Sequence, residues 1–271
     1  MALPLESIDP LRPILARRPL GLATDIDGTI SPIADTPGEA TVTPLCRRYL
    51  QEIARHVEVV AAMSGRTVQD ARRLVGLEEL TYVGNHGLSW WPRHGRGEET
   101  LAEAAPYESL VREARAGLTS LLNLPGLILE DKGPILAFHY RLSPDRSGAR
   151  TAILEALAPW SERGLRLGEG RLVVELGPPL DVDKGTALAR LMEAHRLGGV
   201  LYLGDDLTDV DAFRMVHRWR GEGKVAAAAV AVRNPESGPE VVEAADYWLD
   251  GVAGVEWLLG EVARAVGGRG P

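Results

Sequence analysis

The stretch GLATDIDGTISP, residues 21–32, ends an apolar run on two aspartates, Asp25 and Asp27, and follows them at once with Gly28 and Thr29. The run predicts a buried strand over LGLATDI (20–26) that stops on two carboxylates with nothing basic beside them. Working outward, the same pattern recurs. VEVVAAM (57–63) stops on Ser64-Gly65-Arg66, LTYVG (80–84) on Asn85-His86-Gly87, and GVLYLG (199–204) runs into Asp205-Asp206. KVAAAAVAV (224–232) and DYWL (246–249) complete the series. Helical patterns lie between, over 43–56 with Thr43 as cap and Pro44 in the first turn, over 67–75 and over 184–197. Continuous rather than alternating apolar strands, separated by helices, indicate a parallel sheet covered on both faces. The expected fold class is α/β, an open parallel, Rossmann-like sheet.

The middle of the chain reads differently. A helix is expected over 106–122, strands over 126–133 and 135–142 with a turn at Gly133-Pro134, a helix over 147–162, and a hairpin over 165–177 turning at Gly168 to Gly170. Hairpins mean antiparallel pairing, so residues 105–177 are expected to form a smaller α+β module inserted into a core made of 1–104 and 178–271.

Bulk properties narrow the function. The 271 residues are 45% hydrophobic and 25% charged, within the ordinary globular range. The formal net charge of -8 argues against nucleic acid as a partner, since such proteins show a basic footprint. It leaves room for a small anionic substrate in a local positive pocket. The single cysteine, Cys46, cannot form an internal disulfide, so a cytoplasmic location is expected. The opening MALPLESIDPLRPIL is broken by prolines and makes a poor signal peptide, and no apolar run has membrane-spanning length. Oligomeric state is not fixed by the sequence, and a monomer is carried as the default.

In open α/β sheets, ligands bind beyond the carboxyl ends of the strands. Asp25 and Asp27, Ser64 to Arg66, Asn85-His86 and Asp205-Asp206 all fall at such ends, so they are expected to converge. Carboxylates gathered this closely repel unless a cation sits among them. Magnesium (Mg2+) suits a site of carboxylates, water and phosphate oxygens. Acidic groups with isolated basic ones, Lys184 and Arg66, read as a phosphoryl-transfer site. One aspartate can act as nucleophile and another as general acid and base. Gly28 allows a tight turn whose N–H groups face a phosphate. Ser64 can bond a phosphate oxygen, Lys184 can neutralise its charge, and Asp205, Asp206 and Asp209 can supply metal-binding oxygens.

Each piece has a duller reading alone. DxDG could open a calcium loop, but an EF-hand places its glycine sixth and a glutamate twelfth, whereas here the glycine is fourth and Thr36 is twelfth. Ser64 could be a helix cap, Lys184 a solvated helix-end residue and His86 a turn residue. The joint occurrence, in this order and each at a strand end, is the specific signal.

In order, DIDGT, MSGR, Lys184-Gly185 and GDDLTD resemble the four signature motifs of the haloacid dehalogenase-like phosphatase superfamily. The inserted section resembles the cap of its sugar-phosphate phosphatase branch. GNHG, LEDKG, LAFHYR, VVEL and YLGDDLTDVDAF resemble, more narrowly, the trehalose-6-phosphate phosphatase family. The resemblance implies Asp25 as nucleophile and metal ligand, Asp27 as general acid and base with its carbonyl on the metal, and Lys184 as a catalytic and phosphate-holding residue. It implies phosphate contacts at Gly28, Thr29, Ser64 and Gly65. Asp205 would be a direct metal ligand, supported through water by Asp206 or Asp209. Arg66 and His86 would face the sugar, and Glu130, Lys132 and Glu175 in the cap would bond its hydroxyls, with His139 and Arg141 as further candidates. At spacing two on one strand face, Glu130 and Lys132 could instead form a surface ion pair.

The chain departs from the family pattern at ELGPP, where Gly177 stands in place of a basic residue. That departure leaves sucrose phosphate, mannosyl-phosphoglycerate or a nucleotide as rival substrates. A phosphomutase, or a non-catalytic partner-binding module of a sugar-synthesis complex, are the readings from other classes. The leading expectation is a magnesium-dependent phosphatase acting on a small-molecule sugar phosphate through an aspartyl-phosphate.

Overall fold

The computed structural model describes residues 2–34, 36–170 and 172–268. The first part of the chain supplies β1 (Leu3–Pro4), α1 (Arg12–Leu15), β2 (Leu20–Thr24), α2 (Pro44–Ala54), β3 (Val59–Met63), α3 (Val68–Val75), β4 (Thr81–Gly84), β5 (Ser89–Trp91) and β6 (Glu99–Thr100). The middle supplies α4 (Glu108–Gly117), β7 (Ile128–Asp131), β8 (Leu136–His139), α5 (Arg146–Glu162), β9 (Arg166–Gly170) and β10 (Val173–Gly177). The last part supplies α6 (Lys184–Ala194), β11 (Gly199–Gly204), α7 (Leu207–Gly221), β12 (Ala226–Arg233), α8 (Pro239–Glu243), β13 (Tyr247–Asp250) and α9 (Gly251–Gly267). Two compact units result, one of Met1–Glu99 with Val182–Pro271, the other of Thr100–Asp181.

Successive residues along the central strands of the larger unit belong to two different cores. Leu22, Val60, Leu201, Leu203 and Val230 face α2, α3 and α9, while Ala23, Val59, Ala61, Tyr202 and Ala229 face α6 and α7. A strand buried on both faces cannot alternate polar and apolar residues, which is why these segments read as unbroken hydrophobic runs. Thr43, the expected cap, accepts from the N–H of Cys46, and Thr67 caps α3 by accepting from that of Asp70.

The nine-stranded sheet runs in the order β1-β13-β12-β11-β2-β3-β4-β5-β6. Pairing is parallel from β1 to β4. From β2 the chain winds out through β3 and β4, and it later returns on β2's other side as β11. The order of winding therefore reverses between β2 and β11, which opens a crevice at their carboxyl ends. One edge departs from the all-parallel expectation. The chain reverses over Asn85 to Leu88, and β5 pairs antiparallel with β4, Val83 opposite Trp90.

The smaller unit holds an antiparallel sheet in the order β7-β8-β10-β9. Leu136, Phe138, Val174 and Leu176 pack one face against Val111 and Ala114 of α4 and Ile153 and Leu157 of α5. Two local expectations change. The helix expected over 106–122 is broken into a 3-10 segment (Ala102–Tyr107), α4 and a second 3-10 segment (Thr119–Asn123). Pro106, which has no N–H to donate, lies inside the first 3-10 segment, and at the other end Gly117 meets the Trp160 ring, where a Cβ would lie 2.7 Å from the ring carbon Cζ2. The hairpin forms, but its ladder continues through the glycines to the pair Gly170 and Val173, so Gly168 and Gly170 are strand residues rather than the turn.

Candidate active site

β2 delivers Asp25 to the crevice, its N–H bonded to the carbonyl of Leu203 on β11 at 2.9 Å. The chain then folds back tightly, with Gly28 N–H on the Ser31 carbonyl at 2.8 Å. Gly28 has φ of +79°, and a Cβ there would run into the Asp205 carboxylate. Only glycine tolerates both conditions.

From the far side of the sequence, α6 begins with Lys184. Asp183 caps this helix by accepting from Thr186 N–H at 2.7 Å. The Lys184 ammonium is 2% exposed and lies 2.7 Å from Asp209 Oδ1 and 3.0 Å from Asp25 Oδ1. Asp209 is saturated: Oδ1 also accepts from the Tyr202 hydroxyl at 2.7 Å, and Oδ2 accepts from the N–H groups of Asp205 and Asp206 at 3.0 Å each. Asp206 turns its Oδ1 to its own helix, accepting from Leu207 N–H at 2.7 Å. The Asp205 carboxylate accepts from Thr29 Oγ1 at 2.9 Å and from Asn234 Nδ2 at 2.8 Å.

Among the described residues, Asp25, Asp205 and Asp209 form the group of ligand-type side chains whose oxygens lie within 4.8 Å of one another, all three buried. Burial pushes the Asp25 carboxyl well above the usual range; Lys184 opposes this, and Asp209, Asp205 and Asp27 add to it. Burial, with Asp209, pushes Asp205 up to about 7. Burial disfavours the Lys184 ammonium, but Asp209 and Asp25 outweigh it and hold the proton far more tightly than in an ordinary lysine. Three buried carboxylates thus gather around one ammonium that pairs with only two of them, and the cluster is short of positive charge. An all-oxygen donor set with that deficit fits a hard divalent cation.

β3 and β4 place the remaining groups. Ser64, buried, has its N–H on the Val83 carbonyl at 2.9 Å, and its Oγ accepts from Arg66 N–H at 3.2 Å. Gly65 leaves space for the His86 imidazole, whose Cε1 lies 2.5 Å from where a Cβ would be. Asn85 and His86 have φ of 51° and 57°, the left-handed region that non-glycine residues occupy at a cost. Bonds from Asn85 N–H to the Arg66 carbonyl and from His86 N–H to the Ser64 carbonyl hold this turn. Arg66 meets Asp27 through a two-pronged ion pair at 2.7 Å. Asp25, Asp27, Gly28, Thr29, Ser64, Gly65, Arg66, His86, Lys184, Asp205, Asp206 and Asp209 therefore all lie at the carboxyl edge of the larger sheet.

In the smaller unit, Glu130 and Glu175 sit in one row, both opposite Ala137 on β8. Lys132 bonds Glu175 at 2.8 Å and His139 bonds Glu130 at 2.8 Å. Both ion pairs cross strands, and the Lys132 side chain is 6% exposed. Burial alone would raise the Glu130 carboxyl, but His139 and Lys132 hold it below the usual range. Arg141 lies beyond the end of β8, its carbonyl accepting from Arg146 Nε at 3.1 Å. At Gly177 a Cβ would sit 3.0 Å from Ile135 Cγ1, so the position has little room for a side chain.

Sequence reasoning passed over Tyr202, Asn234 and Ser237. Asn234 and Ser237 follow β12 at its carboxyl end, the same position rule that singled out the other clusters. Asn-Pro there reads as an ordinary turn.

The trehalose-phosphatase family model matches residues 23–250. Over 245 residues the chain is 36% identical to a trehalose-phosphate phosphatase of Mycobacterium marinum, covering 88% of this chain and 60% of that one. A Mycobacterium tuberculosis protein of the same description is 33% identical over 257 residues, covering 93% and 63%. The chain thus spans about three fifths of the length of these curated relatives. The C-terminal domain of Candida albicans trehalose-6-phosphate phosphatase superposes with a TM-score of 0.78 at 22% identity, covering 97% of this chain and 99% of that one. A trehalose-6-phosphate phosphatase related protein superposes with a TM-score of 0.72 at 18% identity, covering 90% and 96%. At these identities the superpositions speak to the fold, an α/β sheet with a second antiparallel sheet.

Proposed function

The chain belongs to the trehalose-phosphatase family, and from that premise we propose that it hydrolyses trehalose 6-phosphate to trehalose and phosphate, with Mg2+ as cofactor. The observation that carries the reading is the buried meeting of Asp25, Asp205 and Asp209 with Lys184 at one sheet edge. Asp25 attacks phosphorus; the bond from phosphorus to the sugar oxygen breaks, and that oxygen takes a proton from Asp27. Water, giving a proton to Asp27, then attacks the aspartyl-phosphate and the bond from phosphorus to Asp25 breaks. Lys184 and Ser64 neutralise and orient the phosphoryl oxygens. Asp25, Asp205 and the Asp27 carbonyl would hold the ion, which supplies charge stabilisation to the transferring group. Asp209, with its four donors, holds Lys184 and the Asp205 backbone in place.

The Arg66 fork takes one lone pair on each Asp27 oxygen and fixes the carboxyl's direction, which leaves the second lone pair for the proton Asp27 moves. Residues Thr100–Asp181 are assigned sugar recognition, with Glu130, Lys132 and Glu175 bonding hydroxyls through charge-assisted hydrogen bonds. No helix among the described residues is long and apolar enough to cross a membrane. The reading carries a cytoplasmic setting, in which buried Cys46 stays a thiol. The test is phosphate release from trehalose 6-phosphate, sucrose phosphate, mannosyl-phosphoglycerate and a nucleotide, with and without Mg2+. Trehalose 6-phosphate should lead in kcat/KM by orders of magnitude and only with the ion. Equal rates across the panel would overturn the substrate, and full activity in chelator the cofactor.

A further inference from the structure

Asp205 is 5% exposed, and each of its carboxylate oxygens meets one uncharged donor. Thr29 Oγ1 donates to Oδ1 at 2.9 Å and Asn234 Nδ2 to Oδ2 at 2.8 Å. Asn234 is itself fixed. Its Oδ1 accepts from the N–H groups of Glu236 at 2.8 Å and Ser237 at 3.0 Å, so the amide must turn its nitrogen toward Asp205. Ser237 Oγ in turn accepts from Asn234 N–H at 3.2 Å and reaches the Asp205 carbonyl at 2.9 Å. The loop after β12 is thereby tied to both the side chain and the backbone of Asp205.

We propose that Asn234 is a positioning residue for the divalent ion, aiming the Asp205 carboxylate from the loop after β12. The inference rests on the ion requirement of the proposed function. A carboxylate oxygen has two lone pairs, and one neutral donor on each leaves the other available. A cationic donor would compete with the incoming ion, and in this site the one buried ammonium is spent on Asp25 and Asp209 instead. Pinning the carboxylate during folding also means that its rotation need not be frozen when the ion arrives. Outer partners of this kind typically change metal affinity by about 10–100-fold when removed.

A purely structural role in the loop is the competing explanation, and Asn234→Ser separates the two. Serine keeps a side-chain acceptor for the local turn but is too short to reach Asp205. Thr29→Val removes the donor on the other oxygen with little change of shape. The measurement is Mn2+ uptake by the chelator-treated, substrate-free chain, read from the electron paramagnetic resonance signal of free ion, with a calorimetric Mg2+ titration beside it. Asn234→Ser should raise the dissociation constant about tenfold or more, with the metal-free melting temperature near that of the parent and KM at saturating ion unchanged. Thr29→Val should move affinity in the same direction. Parent-like affinity in both variants overturns the inference, as does a lowered melting temperature with unchanged affinity. A parent chain that takes up no ion would instead overturn the cofactor reading beneath it.

Discussion

Arg66 grips Asp27 by both carboxylate oxygens, Nε to Oδ2 and Nη2 to Oδ1, each at 2.7 Å, across 39 residues of sequence. The fork presets where the carboxyl points and leaves each oxygen a second lone pair for a proton. Asp27→Asn keeps the shape and has no proton to give. It should lower kcat about 10²–10⁴-fold on a sugar phosphate, whose leaving oxygen needs that proton. On an aryl phosphate with a good leaving group the loss should be much smaller. Steady-state phosphate release on both esters checks this, and equal losses would remove Asp27 from the acid role.

Asp25→Asn should abolish turnover and yet stabilise the ion-free protein. It removes one of three buried, mutually repelling carboxylates while Lys184 keeps its 2.7 Å partner Asp209. Thermal melts in chelator should show a rise for the variant, and added Mg2+ should raise the parent's melting temperature more than the variant's. A fall in chelator would mean that Asp25 is held mainly by attraction to Lys184.

Lys184→Met should be costly to the fold, not only to the chemistry. It strands Asp25 and Asp209 without their shared ammonium, and breaking a buried ion pair costs about 3–5 kcal/mol. Urea unfolding in the absence of ion measures the loss. Stability within about 1 kcal/mol of the parent would show that the cluster neutralises itself by taking up protons, as linkage allows.

Asp246 offers a pH test away from the site. Burial would raise its carboxyl, but Arg220, which donates to both oxygens at 2.9 Å, and the Ala229 N–H at 2.9 Å hold it below the usual range. A depressed carboxyl stabilises fully above the unfolded-chain value, near about 4, and the contribution disappears as pH falls through the folded one. Asp246→Asn should therefore be less stable than the parent at neutral pH, with the gap closing below about pH 4. Denaturant midpoints across that range check it, and a gap independent of pH would point to lost packing instead.

The sheet was legible because its strands are buried on both faces, so Leu20–Thr24, Val59–Met63 and Gly199–Gly204 stand out as unbroken apolar runs. The gathering of Asp25, Ser64 and Asp205 at one sheet edge follows from one rule about strand ends, which needs no knowledge of side-chain partners; Lys184 joins them from the start of α6, outside that rule. What stayed hidden depends on register and on bonds between distant segments. Lys132 can meet Glu175 because β7 and β10 flank β8, which brings Glu130 and Glu175 into one row opposite Ala137. Asn234 meets Asp205 only once β12 lies beside β11. The broken helix around Tyr107 and Gly117 was missed because apolar periodicity alone does not register a proline or a close-packed tryptophan.

The place of β2 between β3 and β11 sets a timetable for biogenesis. As the polypeptide leaves the ribosome, β3 emerges soon after β2, whereas β11 must wait for the whole of Thr100–Asp181 to be made. Until then β2, a strand buried on both faces in the finished sheet, offers an open backbone edge to any neighbouring nascent chain. Translation speed and chaperone supply should therefore govern the yield of native molecules more strongly than substitutions on the outer helices do.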